Sequence, residues 1–259
     1  MTSREDRLNG ILKLLSQHGN VTVEEIVAAL GVSPATVRRD LDSLQERRLL
    51  ARTHGGATKL GAVDYRLSSR TPEGGQAANI EAVAAAAVKL VQPGTSIGLS
   101  GGRTTSAMAR LLGADERFTD AGLTVVTNAI NIAQALVIRP YIRVVVSGGM
   151  VRQGSYELSG PFSELILRQI TLDQAFIGVN GLDPLLGATV SAAPEAPINR
   201  LMAERASESW VVCDSSKLGQ RSFAVIGELK QFTGVVTDGN GDAKILQDLG
   251  VEDFIVQVA

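Results

Sequence analysis

Arg38 and Arg39 stand side by side in GVSPATVRRDLDSL (31–44). A guanidinium bonds guanine O6 and N7 as a pair, or clamps a phosphate, so an exposed arginine pair suits nucleic-acid contact. Ser33 followed by Pro34 is a helix-start signal: the serine caps, and the proline forgoes an N–H that has no helical partner. Val37, Leu41 and Leu44 then recur at i, i+4 and i+7 and face inward, leaving Ala35, Thr36, Arg38, Arg39 and Asp42 on or near the open face. Taken alone, the arginine pair is a solvated face paired with Asp42 or Glu46. The elements around it favour DNA instead.

A second group of residues suits anion chemistry. Ser100, Gly101, Gly102, Arg103, Thr104 and Thr105 leave a strand-like run and open a helix-like one. Backbone N–H groups, threonine hydroxyls, the helix dipole and Arg103 together would cup a phosphate. Thr127 and Asn128 offer a hydroxyl and an amide after another apolar run. Ser147, Gly148 and Gly149 make a second close-approach turn, and Asp214, Ser215, Ser216 and Lys217 add a carboxylate, hydroxyls and an ammonium. Each is weak singly, since a Gly-Gly turn is commonly only a turn and a lone lysine is commonly solvated. Their recurrence after successive strands is what points to a binding site.

The elements that must position the first group lie in residues 21–59, which read as two short helices, a third, longer helix and a small hairpin. These are the parts of a winged helix-turn-helix, whose recognition helix enters the DNA major groove. Thr22 with Glu25 is a capping-box pattern, Ile26, Val27 and Leu30 give one apolar face, and Gly31 ends that helix. Leu49, Leu50, Arg52 and Thr53 alternate weakly before Gly55 and Gly56, as a glycine-turned hairpin would. Arg52, His54 and Lys59 are thereby placed to meet the DNA backbone or minor groove. Residues 5–17 supply a further helix with Leu8, Ile11, Leu12 and Leu15 as its buried stripe, closed by Gly19.

The second group depends on a longer pattern. Residues 61–76 lack a sustained period and hold Gly, Ser, Thr and Pro, so they read as a linker between a DNA-binding domain at 1–60 and a second domain at 77–259. The linker is followed by an alanine-rich helix with Ile80, Val83, Ala84, Ala87, Val88 and Val91 inward. From there short apolar runs alternate with helical stretches: TSIGLS, SAMARLL, LTVVT, AINIAQAL, IRVVVSG, SELILRQ, DQAFIGV, INRLMAERA, WVVCD, TGVVTD, AKILQDL and DFIVQV. Such alternation predicts an α/β fold with a mainly parallel sheet and helices on both faces. Ligands gather beyond the carboxyl ends of such strands, here after Leu99, Val126, Val146, Val179 and Val212.

Composition narrows the class. The chain has 259 residues, 44% of them hydrophobic, enough for one small and one medium domain. Its net charge is −2, yet residues 1–60 carry nine Lys and Arg against seven Asp and Glu, and the remainder sixteen against twenty. The basic excess coincides with the arginine pair, and is small enough that useful DNA affinity calls for a dimer or larger assembly. Cys213 is the sole cysteine, which excludes an internal disulfide and a cysteine-rich metal site. His18 and His54 are the only histidines, so a histidine dyad or histidine metal site in the larger domain is excluded as well. MTSREDRLNG lacks the apolar core of a signal peptide, and no run of eighteen apolar residues occurs. A soluble cytoplasmic protein, with no membrane contact and no cofactor, is expected.

GVSPATVRRDLDSL followed by RTHGGA resembles the DNA-binding region of the DeoR-type family of bacterial transcriptional regulators, many of which repress sugar-metabolism genes. The downstream loops resemble that family's effector domain, which is similar in fold to ribose-5-phosphate isomerase. The matching pieces are the loop at 100–105, VVTN at 125–128, SGG at 147–149, SG at 159–160, DQAFIGVNGLD at 173–183 and CDSSKLG at 213–219. The resemblance implies DNA contacts from Ser33, Ala35, Thr36, Arg38, Arg39, Arg52 and His54. It implies a phosphorylated sugar or sugar alcohol as effector, with Gly102, Thr104 and Thr105 on the phosphate and Asn128 and Lys217 nearby; the loop chemistry read from the residues themselves adds Ser100, Arg103, Gly148 and Gly149 to the expected effector site. Operator duplex DNA and a homodimer or homotetramer complete the expected partners. Two positions depart from the family pattern: Ser100 stands where aspartate is common, and Arg103 where a small hydroxyl residue is common. A hydroxyl is a weaker acceptor for sugar hydroxyls than a carboxylate, while a guanidinium favours phosphate. Ala77 stands near a place where the family often has a basic residue.

Two rival classes follow from the same residues. A sugar-phosphate isomerase or acyl-transfer enzyme with an accessory N-terminal domain would need a carboxylate base, for which Asp183, Glu195 and Asp214 are candidates. A winged domain used only for protein contacts would not need Arg38 or Arg39 to touch DNA.

Overall fold

The computed structural model describes residues 4–18, 20–46, 49–53, 55–59, 74–249 and 254–259. The chain divides into two compact units, Met1–Leu67 and Ser68–Ala259.

In the first unit the elements run Arg4–His18 (α1), Asn20–Thr22 (β1), Val23–Leu30 (α2), Pro34–Glu46 (α3), Leu50–Thr53 (β2) and Gly56–Lys59 (β3). The stretch 21–59 therefore holds two helices, and the third helix of the motif is α1 upstream of it. The Thr22 hydroxyl accepts from the Glu25 N–H at 3.2 Å while the Glu25 carboxylate accepts from the Thr22 N–H at 2.7 Å, which satisfies two otherwise orphaned donors. Gly31 ends α2 in the left-handed conformation, φ 65°. Leu8, Ile11, Leu15, Val23, Ile26, Val37, Leu41 and Leu44 form one core, with Leu12 partly buried against it. Asp40, on the inner side of α3, accepts from Arg7 Nε at 2.9 Å and clamps α3 to α1. The wing has three strands, not two, in the order β1, β3, β2. β3 lies so tightly on β1 that a Cβ at Gly56 would stand 2.0 Å from the Val21 carbonyl oxygen. Glycine is the only residue that permits that approach.

The second unit runs Gly74–Leu90 (α4), Ser96–Leu99 (β4), Arg103–Leu112 (α5), Leu123–Thr127 (β5), Ile130–Leu136 (α6), Ile142–Val146 (β6), Met150–Val151 (β7) and Leu158–Ser159 (β8). It continues with Pro161–Leu167 (α7), Leu172–Gly178 (β9), Gly181–Asp183 (β10), Gly187–Val190 (β11), Ala196–Glu204 (α8), Ala206–Val212 (β12), Ala224–Gly227 (β13), Gly234–Thr237 (β14), Ala243–Leu249 (α9) and Ile255–Val258 (β15). Residues 74–76 belong to α4, so the linker reading ran into the helix; residues 61–73 lie outside the described residues.

Seven strands form one sheet in the order β15, β14, β12, β9, β4, β5, β6, and every neighbouring pair is parallel. Apolar side chains alternate between its faces. Val125, Phe176, Trp210, Val212 and Val236 pack with α4, α5 and α6, while Val126, Ala175, Ile177, Val211 and Val235 pack with α7, α8 and α9. A parallel strand buried on both sides needs this near-continuous run of apolar residues. Ile80, Val83, Ala84, Ala87, Val88 and Val91 are all buried, as the spacing predicted. Two small antiparallel pieces carry no periodic signal in the sequence: a three-stranded sheet in the order β10, β11, β13, and the β7–β8 pair.

Strand order reverses between β4 and β9: from β4 the chain steps outward to β5 and β6, then returns to β9 and steps the other way. A crevice at the carboxyl ends is the consequence, because successive connections leave on opposite faces.

Candidate functional site

In the first unit, α3 begins as the serine-proline signal predicted. The Ser33 hydroxyl accepts from the Thr36 N–H at 3.3 Å and shares a 2.9 Å hydrogen bond with the Thr36 hydroxyl. Ala35, Arg38 and Arg39 are exposed and Thr36 is half-buried. Among the described residues neither Arg38 nor Arg39 forms an ion pair. The solvated-face reading paired them with Asp42 or Glu46: Asp42 faces Arg52 Nε at 3.3 Å, and the side chain of Glu46 lies outside the described residues. Arg52 Nη1 also donates to the Gly56 carbonyl at 3.3 Å, so this guanidinium braces the wing against α3. The sequence placed Arg52 among the DNA contacts, whereas its donors are partly spent inside the domain. His54 lies outside the described residues, as does the side chain of Lys59.

In the second unit, Ser100 follows β4 at the switch point. Its buried hydroxyl accepts from the Gly178 N–H at 2.9 Å and donates to the Gly101 carbonyl at 3.3 Å. That ties the end of β4 to the end of β9 and leaves this side chain little capacity for a ligand. Gly102, at φ 135°, turns the chain into α5, which has no side-chain cap on its first N–H groups. The Thr105 and Ser106 hydroxyls donate back to the Gly102 carbonyl at 3.2 and 2.6 Å, which braces the turn. Arg103 is half-buried, and among the described residues it has no ion-pair partner. An uncapped helix start with a free guanidinium beside it attracts anions.

Asn128 follows β5 and is fully buried. Its Nδ2 donates to Glu157 Oε2 at 3.0 Å and to Asn199 Oδ1 at 3.3 Å. Glu157 arrives from the turn between β7 and β8, where Tyr156 takes φ 60°. Backbone bonds from Leu158 N to Asn128 O (2.6 Å) and Ile130 N to Tyr156 O (3.1 Å) fasten that turn to the end of β5. Its side chain covers Gly101 so closely that a Cβ there would lie 2.2 Å from Glu157 Cγ. Burial, and then the charge of Glu195, push the Glu157 carboxyl up to about 7, against the hydrogen bond from Asn128, the nearby Asn199 amide and the charge of Arg152. Arg152 meets Glu195 at 2.9 Å.

The distances thus join Ser100, Gly101, Gly102, Asn128, Glu157 and Asn199. Gly148 and Gly149 occupy the same sheet edge with φ 72° and 117°, Gly149 packed on Ser163 and Ser159, and Lys217 follows β12 half-buried. Among the described residues no hydrogen bond links either to the 100–105 loop. Glu157, Asn199, Glu195 and Arg152 as a group escaped sequence reasoning. Glu157 and Asn199 sit outside any recognisable spacing, and only the close approach of Gly101 could have hinted at them.

Of the carboxylates named as possible bases, Glu195 belongs to this cluster, held by Arg152, and the other two are committed to other partners. Asp183 accepts from Arg221 Nε at 2.7 Å and from the Leu185 and Leu186 N–H groups at 2.9 Å, which hold its carboxyl below the ordinary range, the arginine most of all. Asp214 accepts from the Ser216 N–H at 3.2 Å and Gln76 Nε2 at 3.3 Å. A cavity of about 570 Å³ opens at the opposite, amino edge of the sheet, beside Thr95, Asp120, Gly122, Tyr141 and Arg143. It contains none of the buried polar cluster.

Comparison with known proteins agrees with both halves. Residues 7–61 match a DeoR-like helix-turn-helix domain and residues 76–239 match the DeoR C terminal sensor domain. A putative aga operon transcriptional repressor from Escherichia coli O157:H7 is 33% identical over 99% of this chain and 95% of its own length. A lactose phosphotransferase system repressor from Staphylococcus epidermidis is 31% identical, covering 92% and 93%. The glycerol-3-phosphate regulon repressor of Escherichia coli K12 is 28% identical, covering 94% of each chain. Among solved structures, ribose 5-phosphate isomerase A from Methanocaldococcus jannaschii aligns over 57% of this chain and 54% of its own, at 21% identity and a TM-score of 0.41. The full-length sorbitol operon regulator SorC from Klebsiella pneumoniae aligns over 96% and 100%, at 12% identity and a TM-score of 0.43. A winged helix with an exposed arginine pair, a sensor-domain match covering most of the second unit, and near full-length kinship with repressors lead to one assignment: this chain belongs to the DeoR family of DNA-binding transcriptional regulators.

Proposed function

We propose that the protein represses carbohydrate-metabolism genes and is controlled by a phosphorylated sugar or sugar alcohol bound at the carboxyl edge of the parallel sheet. The observation that carries this reading is the uncapped start of α5 beside the free guanidinium of Arg103, at the strand-order switch point. Gly102, Thr104 and Thr105 supply the phosphate cup, with Asn128 beside it and Lys217 and the Gly148–Gly149 turn along the same edge. Relatives named for lactose phosphotransferase and glycerol-3-phosphate systems support this choice of chemistry. Residues 1–60 act as the DNA-binding domain, through Ser33, Ala35, Thr36, Arg38 and Arg39, as a homodimer or homotetramer on a repeated operator. The protein works in the cytoplasm and catalyses no reaction.

An effector acts only by binding the DNA-competent and DNA-incompetent arrangements differently, typically by about 1–3 kcal/mol. Retention of the gene's own upstream DNA is therefore measured with and without a panel of sugar phosphates. Release by one member, lost in an Arg103→Ala variant, is the expected result. Release by none, or turnover of any member, overturns the reading. Glu157, a buried carboxyl held near neutrality, is the observation that keeps the isomerase alternative specific, and the same incubations report on it.

A further inference from the structure

The polar cluster next to the glycine loop has more capacity than the protein itself fills. Asn128 and Asn199 are both fully buried, yet among the described residues the Asn128 Oδ1 acceptor and the Asn199 Nδ2 donor have no hydrogen-bond partner. Each amide uses its other end, on Glu157 in one case and on Asn128 in the other. Buried amide groups are nearly always paired, so an unmet acceptor and an unmet donor on touching side chains call for a ligand or water that both donates and accepts. A hydroxyl does both. Glu157 adds carboxylate lone pairs, and its side chain lies against Gly101, one residue from the loop that turns into α5.

We infer that Asn128, Glu157 and Asn199 form a hydroxyl-reading subsite for the polyol end of a ligand whose phosphate sits on the 101–105 loop. The inference rests on the phosphate reading of that loop. Two adjacent hydroxyls satisfy the set: one donates to Asn128 Oδ1 or Glu157, and its neighbour accepts from Asn199 Nδ2. Arg152 and Glu195 are held to each other at 2.9 Å and frame the cluster, so the cation is engaged by Glu195 and leaves Glu157 as acceptor. The arrangement discriminates against a phosphate monoester with an alkyl tail, because such a ligand would leave the same amide atoms unpaired on binding.

The test uses the full-length chain and isothermal titration with phosphate monoesters in matched pairs. Each pair is an open-chain polyol phosphate of three to six carbons and the alkyl phosphate of the same length, with inorganic phosphate alongside. At least one polyol should bind about 10–100 times more tightly than its alkyl match, the range of one or two hydrogen bonds to charged or buried groups. In Asn199→Leu the members of that pair should bind alike. Glu157→Gln, which keeps the side-chain shape and removes a buried charge, should shrink the preference several-fold and covers the case in which Asn199→Leu does not fold. Equal binding within every pair overturns the subsite while leaving the phosphate loop standing, and so does a preference that survives both substitutions. Absence of binding by every monoester and by inorganic phosphate overturns the loop reading and the subsite with it.

Discussion

At the scale of single residues, two close contacts decide the chemistry. Gly101 has no room for a methyl group, since a Cβ would lie 2.2 Å from Glu157 Cγ and 2.6 Å from its Cδ. Gly101→Ala therefore expels the Glu157 side chain from its place. Denaturant melts should show a loss of about 1–3 kcal/mol, the usual cost of overpacking, and effector response should fall with it. Glu157 makes a second, pH-dependent prediction. Its carboxyl is raised from the ordinary value of 4.5 to about 7, so the folded chain holds that proton more tightly than the unfolded chain does. The folded state is accordingly penalised as pH rises from about 4.5 through about 7, and the full penalty remains above that. Glu157→Gln should be as stable as the parent near pH 4.5 and more stable at pH 8, by on the order of 2–3 kcal/mol. A stability difference that does not change between those pH values would contradict the burial account. Cys213 adds no chemistry: it is buried, and burial pushes its thiol far above the neutral range.

At the scale of elements, the sequence disclosed what has a short period or a local cap. The Thr22 and Glu25 capping box, the Gly31 stop and the serine-proline start of α3 all formed where their residues said. Replacing Thr22 with Ala should therefore cost about 1 kcal/mol in thermal or denaturant unfolding. The parallel strands were legible because their apolar runs are continuous, and α4 because its stripe repeats at helical spacing. What was not legible depends on distant partners. β1 joins the wing only through β3, which no pattern within Asn20–Thr22 announces. The antiparallel strands around Leu182, Ala188 and Ile226 are short: the first two form a hairpin of three paired residues a side, and the pairing of Ala188 with Gly227 spans some forty residues. Arg52 reads as a DNA contact from its place in the hairpin, and its bonds to Asp42 and the Gly56 carbonyl, which brace the wing, are what that place does not announce. Glu157 was invisible for the same reason: its role comes from Gly101, Asn128 and Asn199, all far from it in sequence.

At the scale of the whole molecule, the two halves divide a regulator's work. One carries an arginine pair on an open helix face and a wing, the other a parallel sheet whose reversed strand order leaves a crevice at its carboxyl edge, where the effector is proposed to bind. The basic excess of the first half is only two charges, so the proposed assembly of several copies would be needed to reach useful DNA affinity. The most direct test of the central claim is fluorescence anisotropy of a labelled fragment of the gene's own upstream DNA, titrated with the full-length protein over a salt series. The parent should bind it in preference to unrelated DNA and lose roughly 10³ to 10⁵-fold in affinity between about 50 and 200 mM salt if some 6–10 phosphates are contacted. Arg38→Ala and Arg39→Ala should each cost about 1–3 kcal/mol. Together they should erase the preference over unrelated DNA. Unchanged affinity and sequence preference in the double variant would contradict the account.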